Sequence, residues 1–279
     1  MRVTIFGATG MLGKALMRQW TSDEVTGLGS GQADIRSPDQ VDKVVSESNP
    51  DWIVLSAAYT DVDGCELNPT LATAVNTQGA ANVAKAAANS RAKLLFVSTD
   101  YVFDGTKSTP YEANDPRHPI NAYGKSKADA EVKILALMPD ACIVRTSWLF
   151  GPGGKCFPDT ILKLAASRAE IEVVNDQRGC PTYTFDLAGA VIKLCHADGK
   201  GIIHGTNRGV CTWYEFATEI LRQAESKTVV RPTSSDKFVR PAPRPGYSVL
   251  SDASLSAYGI HMRAWQDTLP DYLRERSAT

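Results

Sequence analysis

Short apolar runs alternate with longer stretches of helical character along the first half of the chain. RVTIF leads into GKALMRQW, DWIVLSAA precedes LATAVNTQGAANVAKAAANS, KLLFVSTD precedes NAYGKSKADAE, and ACIVRTSWLF follows it. Runs that are apolar on consecutive residues are apolar on both faces of the pleat, which predicts buried strands. Their separation by helices predicts a parallel sheet covered on both sides. The expected fold class is therefore α/β, a Rossmann-like doubly wound parallel sheet.

After Gly151 the pattern changes. IEVVND, a helical stretch around FDLAGAVIKLC and the short GIIHGT still fit the sheet, whereas the rest is richer in proline and loops. TLPDYLRER reads as a closing helix. The expected organisation is an NAD(P)-binding domain from residues 1–155 plus about 171–207, and a smaller C-terminal substrate-binding domain from about 156–170 and 208–279. The second domain would fold back over the first as a lid. Within it, Lys227, Arg231, Lys237, Arg240 and Arg244 face one acid, Asp236. The chain shows no internal repeat.

Composition narrows the partners. A chain of 279 residues can form one large α/β domain or a larger and a smaller one sharing an interface. With 43% hydrophobic and 22% charged residues, and 30 basic against 31 acidic side chains, nothing global favours nucleic acid or an anionic membrane. Any anionic ligand has to be met by local charge. The start, MRVTIFGATG, lacks a signal-peptide apolar core and cleavage site, and no stretch approaches the roughly 20 apolar residues of a membrane span. The cysteines at 65, 142, 156, 180, 195 and 211 show no CxxC spacing, as expected for buried or incidental thiols of a reducing cytoplasm.

GATGMLG, Gly7 to Gly13, follows the first predicted strand and opens the first predicted helix. A glycine turn at that junction lets the backbone approach a pyrophosphate at a helix N-terminus, which points to a dinucleotide. An acid at the end of the second strand would grip the ribose 2′-hydroxyl of NAD. Gly29, Ser30 and Gly31 stand there instead, so NADPH is expected, with NADH tolerated, and Asp34 is placed near the adenine.

Tyr123 and Lys127 are four residues apart on a predicted helix and so share one face. A ketone reduction needs a proton for the oxygen as hydride reaches carbon, and a neighbouring ammonium brings a phenol's pKa towards neutrality. Spacing alone would leave an exposed helical pair as the plain alternative. The context is VSTDYVF, at the C-terminal end of an apolar strand, where the Thr99 hydroxyl can meet the same carbonyl.

These segments together resemble the extended short-chain dehydrogenase/reductases and, within them, the dTDP-4-dehydrorhamnose reductase family. The likeness runs nearly end to end, through GATGMLGKAL, PDWIVLSAAYTDVDGCE, STDYVFDG, AYGKSK, RTSWLFG, NDQRGCPTYT and RPGYSVL. It implies Thr99, Tyr123 and Lys127 as the catalytic set, with Lys127 also on the nicotinamide ribose. It sets Gly7, Gly10, Met11, Leu12 and Gly13 on the pyrophosphate, and Ser30, Asp34, Ile35, Ala57, Ala58 and Tyr59 along the cofactor. Tyr101, Trp148, Asn175 and Arg244 would take the sugar nucleotide. The implied reaction is reduction of the 4-keto group of dTDP-4-dehydro-L-rhamnose to dTDP-L-rhamnose for surface polysaccharide, by a monomer or homodimer. Leu55 and Gly64 stand where the family usually has asparagine and lysine. Ala15 replaces an acid that holds a metal between subunits in some relatives, so no metal is expected.

Rival readings are another nucleotide-sugar 4-ketoreductase, an epimerase or dehydratase, and a non-catalytic subunit resembling the methionine adenosyltransferase regulatory β subunit. Similar dehydratases carry an Asp-Glu pair after the threonine. Here Thr99 is followed by Asp100 and Tyr101, which disfavours dehydration.

Overall fold

The computed structural model describes residues 1–277. In chain order the longer strands are β1 (Arg2–Phe6), β2 (Glu24–Leu28), β3 (Trp52–Leu55), β4 (Lys93–Thr99), β5 (Cys142–Thr146), β6 (Glu170–Val174), β7 (Gly201–His204) and β8 (Val229–Thr233). The longer helices are α1 (Met11–Gln19), α2 (Pro38–Ser48), α3 (Ala80–Ser90), α4 (Ala122–Leu137), α5 (Phe157–Ala165), α6 (Thr184–His196), α7 (Trp213–Gln223) and α8 (Leu269–Ser277).

Side chains that alternate along each strand build two cores. Val3, Ile5, Trp52, Val54, Leu95 and Val144 pack on one face against Leu12 and Leu16 of α1 and Leu187 and Val191 of α6. Phe6, Ile53, Leu55, Leu94, Phe96 and Ile143 pack on the other against Val41 and Val45 of α2, Val83 of α3 and Ile134 of α4. Because each face needs its own helices, the strands lie in one parallel sheet, ordered β7-β5-β4-β3-β1-β2. The order reverses between β1 and β3, and the carboxyl ends of the strands part there to leave a crevice.

One expectation is corrected. IEVVND does not join the large sheet: β6 pairs in parallel with β8, Ile171 opposite Val230. Its pattern explains why, since Ile171 and Val173 are buried while Glu170 and Glu172 are exposed, which is a strand with only one face to hide. The central strand β3, by contrast, is buried throughout. Ile171 and Val173 instead enter a separate core with Phe150, Ile161, Phe216 and Tyr272, contributed largely by α5, α7 and α8. GIIH, as expected, extends the large sheet as β7.

Helix α4 is tied to the sheet by a buried charge cluster. The Glu131 carboxylate accepts from Arg145 Nε and Nη2 at 2.9 and 2.7 Å, from Ser98 Oγ at 2.6 Å and from Arg117 Nη1 at 3.1 Å. Burial pushes the Glu131 pKa up, but Arg145, with Ser98 and Arg117, outweighs this and holds it below the usual range. Arg145 also lies over the Phe103 ring. Glu131→Ala would leave Arg145 buried without its counter-charge. The expected loss, about 3–5 kcal/mol by urea unfolding, would be contradicted by an unmoved midpoint.

Candidate active site

The glycine turn after β1 is built from close approaches. Gly7 takes a φ of +92°, and its N–H and that of Ala8 both donate to Leu28 O, at 2.9 and 3.0 Å. A Cβ on Gly13 would fall 2.1 Å from Gly7 O, so a larger residue would push α1 off the turn. Gly10 caps α1 and brings no side chain to it. The positive end of the helix is thereby left open to an anion.

The turn opens on a cleft of about 890 Å³. Gly7, Gly10, Met11, Leu12, Gly13, Ser30, Asp34, Ile35, Ala57 and Ala58 line one side of the ligand space, and Thr99, Tyr101, Tyr123, Lys127 and Trp148 also line the cleft. Tyr59, Asn175 and Arg244 are not part of its wall. Tyr59 is held by Asn76 through its backbone N–H and carbonyl, at 2.7 and 3.0 Å. The Asn175 side chain accepts from Thr212 Oγ1 at 2.7 Å. Arg244 pairs with Asp63 at 2.5 Å and donates to Ala242 O at 2.6 Å. Gly64 has a local reason: a Cβ there would fall 2.1 Å from the Tyr59 hydroxyl.

At the end of β2, Ser30, Gly31 and Arg36 face the cleft. The one nearby carboxylate, Asp34, accepts from Arg36 Nε at 3.0 and 2.9 Å and from Nη2 at 2.5 Å. Arg36 holds the Asp34 carboxyl below its usual range. The cleft therefore meets a neutralised pair there.

Thr99 ends β4, and its hydroxyl accepts from Tyr101 N–H at 3.2 Å in the turn Asp100–Val102. Asn121 caps α4 by accepting from Gly124 N–H at 2.8 Å. A Cβ on Gly124 would fall 2.0 Å from Tyr101 O, so this glycine lets the first turn of α4 press against the turn after β4. The approach sets the Tyr123 ring edge-on to Tyr101, centroids 5.9 Å apart, in the cleft wall that it shares with Thr99. One helical turn on, the buried Lys127 donates to Val97 O at 2.7 Å and lies 3.9 Å from the centre of the Phe96 ring.

The electrostatics differ from expectation. Burial raises the Tyr123 phenol above its ordinary value, against the opposing influence of the Thr99 hydroxyl. Burial pulls Lys127 down to about 7, against the pull of Glu131. Desolvation acts on both charged forms, and in the protein alone it outweighs any help the ammonium gives the phenolate. The chemical consequence is a phenol that keeps its proton at neutral pH, as a donor must.

Asn76 and Trp213 were not anticipated from the sequence, and Asp100 was read there only as the residue that follows Thr99. Asp100 is buried beside Thr99, lines the cleft, and is pushed up to about 7 by burial. Asn76 sits in a π-helical stretch, Thr73–Gly79, and links Tyr59 to the Ser126 hydroxyl of α4 at 2.9 Å. Trp148, at φ +46°, stacks on Trp213 with centroids 3.5 Å apart, and Phe157 packs on Trp213. The T-W-Y-E capping box could have located the start of α7 and hence Trp213, but not its stacking partner. Cys180 is buried with its thiol pushed up to about 11, so it is no thiolate at neutral pH.

A half-buried tyrosine and a buried lysine on one helix face, lining the glycine-turn crevice of a doubly wound sheet, place the molecule among the extended short-chain dehydrogenase/reductases. Comparison with known proteins narrows the class. The family model described as RmlD substrate binding domain matches residues 1–278, and the chain belongs to that family. It is 41% identical over 279 residues to the spore coat polysaccharide biosynthesis protein SpsK of Bacillus subtilis, covering 99% of this chain and 98% of that protein. It is 42% identical over 279 residues to dTDP-4-dehydrorhamnose reductase of Mycolicibacterium smegmatis, covering 97% and 84% of the two chains. The structure of the Bacillus anthracis dTDP-4-dehydrorhamnose reductase in complex with NADP is similar with a TM-score of 0.95 at 40% identity, over 98% of this chain and 99% of that one.

Among the described residues no group of three or more His, Cys, Asp or Glu side chains could hold a metal ion, and no helix is long and apolar enough to cross a membrane.

Lys127 yields a test of the burial argument. Below about pH 7 the folded protein carries a buried ammonium; as pH rises from there towards 10.5 the folded form is already neutral and the penalty shrinks. In the nucleotide-free protein, Lys127→Met is therefore expected to raise Tm more at pH 7 than at pH 10. An equal change at both pH values would mean that Lys127 titrates normally.

Proposed function

We propose that this protein reduces the 4-keto group of dTDP-4-dehydro-L-rhamnose with NADPH, giving dTDP-L-rhamnose for surface polysaccharide synthesis in the cytoplasm. The observation that carries the reading is the Tyr123 phenol, kept protonated by burial and lining, together with Thr99, the same cleft as the glycine turn.

The cleft suits the cofactor. Gly7, Gly10, Met11, Leu12 and Gly13 would hold the pyrophosphate on the open end of α1, and Asp34, Ile35, Ala57 and Ala58 would flank the adenosine. Ser30 and Arg36 would receive a ribose 2′-phosphate, since the carboxylate nearby is already neutralised. NADPH, when bound, supplies the hydride for carbon 4.

Tyr123 gives its proton to the keto oxygen while Thr99 orients that oxygen and the phenol. Lys127 would hold the nicotinamide ribose and stabilise the phenolate left behind. Tyr101 and the Trp148–Trp213 stack offer flat apolar walls for sugar and base. Arg244, whose charge acts on Tyr101, and Asn175, bonded to Thr212 beside Trp213, would serve the diphosphate and nucleotide end. A lone Asp100, without a second carboxylate next to it, fits reduction rather than dehydration.

The experiment is NADPH oxidation followed by absorbance with dTDP-4-dehydro-L-rhamnose, the product sugar being identified. Tyr123→Phe is expected to lower kcat by about 10²–10⁴ with the fold retained. No oxidation by folded wild-type protein would overturn the reading.

Cofactor choice is tested separately. Arg36→Ala should raise KM for NADPH about tenfold or more without raising that for NADH, because a charge-assisted hydrogen bond of about 1.5–3 kcal/mol is lost for the phosphate alone and the freed Asp34 carboxylate repels only the phosphate. Equal changes for both would remove Arg36 from the phosphate.

A further inference from the structure

The first turn of α4 carries the phenol, and its backbone is held from outside the helix as well as from within. The first bond inside the helix runs from Lys125 N–H to Asn121 O at 2.9 Å, so the N–H groups of Ala122, Tyr123 and Gly124 lie ahead of it with no helical partner. Gly124 N–H donates to Asn121 Oδ1 at 2.8 Å. Ala122 N–H donates to Glu66 Oε2, also at 2.8 Å, from 56 residues further along the chain than its acceptor. Tyr123 thus stands between two pinned neighbours.

Glu66 lies on the short helix Val62–Leu67, and that helix is tied to the strap of residues 240–246. Asp63, one turn before Glu66, accepts from Arg244 Nη1 at 2.5 Å, from Ala242 N–H at 3.2 Å and from Arg240 Nη1 at 3.4 Å. The strap returns to α4, where Asn121 Nδ2 donates to Pro243 O at 2.8 Å. Three segments far apart in sequence therefore close a ring of hydrogen bonds around the start of α4. Pro241, Pro243 and Pro245 lock φ along the strap, which makes that side of the ring stiff. Glu66 is half-buried, and among the described residues its carboxylate is in no ion pair; its charge is spent on the positive end of α4. Asn121 already caps the helix, so a second acceptor brought from elsewhere adds placement rather than a helix start.

We propose that Glu66 is a positioning residue for the proton donor: by holding Ala122 N–H it fixes the backbone from which the Tyr123 phenol reaches the keto oxygen. This rests on the reductase reading above. Glu66 itself moves no proton and touches no substrate. A misplacement of about 1 Å at a reacting group can cost on the order of a hundredfold in rate. Loss of this one contact leaves the rest of α4 held by Glu131 and Arg145, so the fold survives while the donor drifts.

The test is a double-variant cycle on NADPH oxidation with the 4-keto sugar. Glu66→Ala is expected to lower kcat about tenfold or more and to leave KM for NADPH within about twofold. Glu66→Gln, which keeps an oxygen for Ala122 N–H, should stay within about threefold of wild type. In a Tyr123→Phe background, Glu66→Ala should change the residual kcat by less than about twofold, because the group it positions is gone. Equal losses in both backgrounds would show a general structural defect and overturn the proposal. So would an unchanged kcat in Glu66→Ala, or a Gln variant no better than the Ala one. Should Glu66→Ala fail to fold, Glu66→Asp, which withdraws the oxygen by one methylene, takes its place with the same expected outcomes. In the nucleotide-free protein, the Tyr123 ring signal in carbon-13 NMR, assigned by its loss in Tyr123→Phe, should shift in Glu66→Ala and stay in place in Glu66→Gln. An unmoved signal in Glu66→Ala would also overturn the proposal. Failure of wild type to oxidise NADPH with the 4-keto sugar would count against the reductase reading and leave the ring signal to judge Glu66.

Discussion

The active-site geometry depends on one buried ion pair. Glu131 lies one turn beyond Lys127 on α4, while its partners Ser98 and Arg145 immediately precede Thr99 on β4 and Thr146 on β5. The bidentate contact therefore fixes the helix that carries the phenol against the strand ends that carry the hydroxyl. Such a pair is not an efficient source of stability, since its desolvation offsets much of its attraction. What it contributes is register: a small shift of α4 along the sheet would break several charge-assisted hydrogen bonds together. Asn76 adds a neutral tie from the other side through Ser126, and Gly124 lets the two elements touch.

Burial then sets the chemistry. Lys127 and Asp100 are buried and Tyr123 is half-buried, and desolvation moves each towards its uncharged form. A phenol that keeps its proton thus stands near a lysine and an acid that both titrate near neutrality. The same low polarity strengthens any charge that a bound cofactor brings. The other side of the cleft differs: backbone N–H groups at the start of α1 stay open, and the Arg36–Asp34 pair lies near the surface.

Much of this was legible in the sequence, because local patterns carry it. The both-face apolar runs, the glycine turn, the Tyr123/Lys127 spacing and the Thr99 strand end each reflect a demand made within a few residues, and the structure gathers those groups in one cleft. The misjudged strand IEVVND also carried its signal locally, in the alternation of Glu170 and Glu172 with Ile171 and Val173. Attention to the apolar content concealed the period.

The sequence by itself determined the sheet, the glycine turn and the helix face that carries Tyr123 and Lys127, since periods of two and of 3.6 residues are set by the backbone. Only the tertiary structure decided which buried groups meet. Glu131 with Arg145, Trp148 with Trp213 and Arg244 with Asp63 are far apart in the chain, and no local pattern links them. It also decided the protonation states, because desolvation depends on everything packed around a group rather than on its neighbours in sequence.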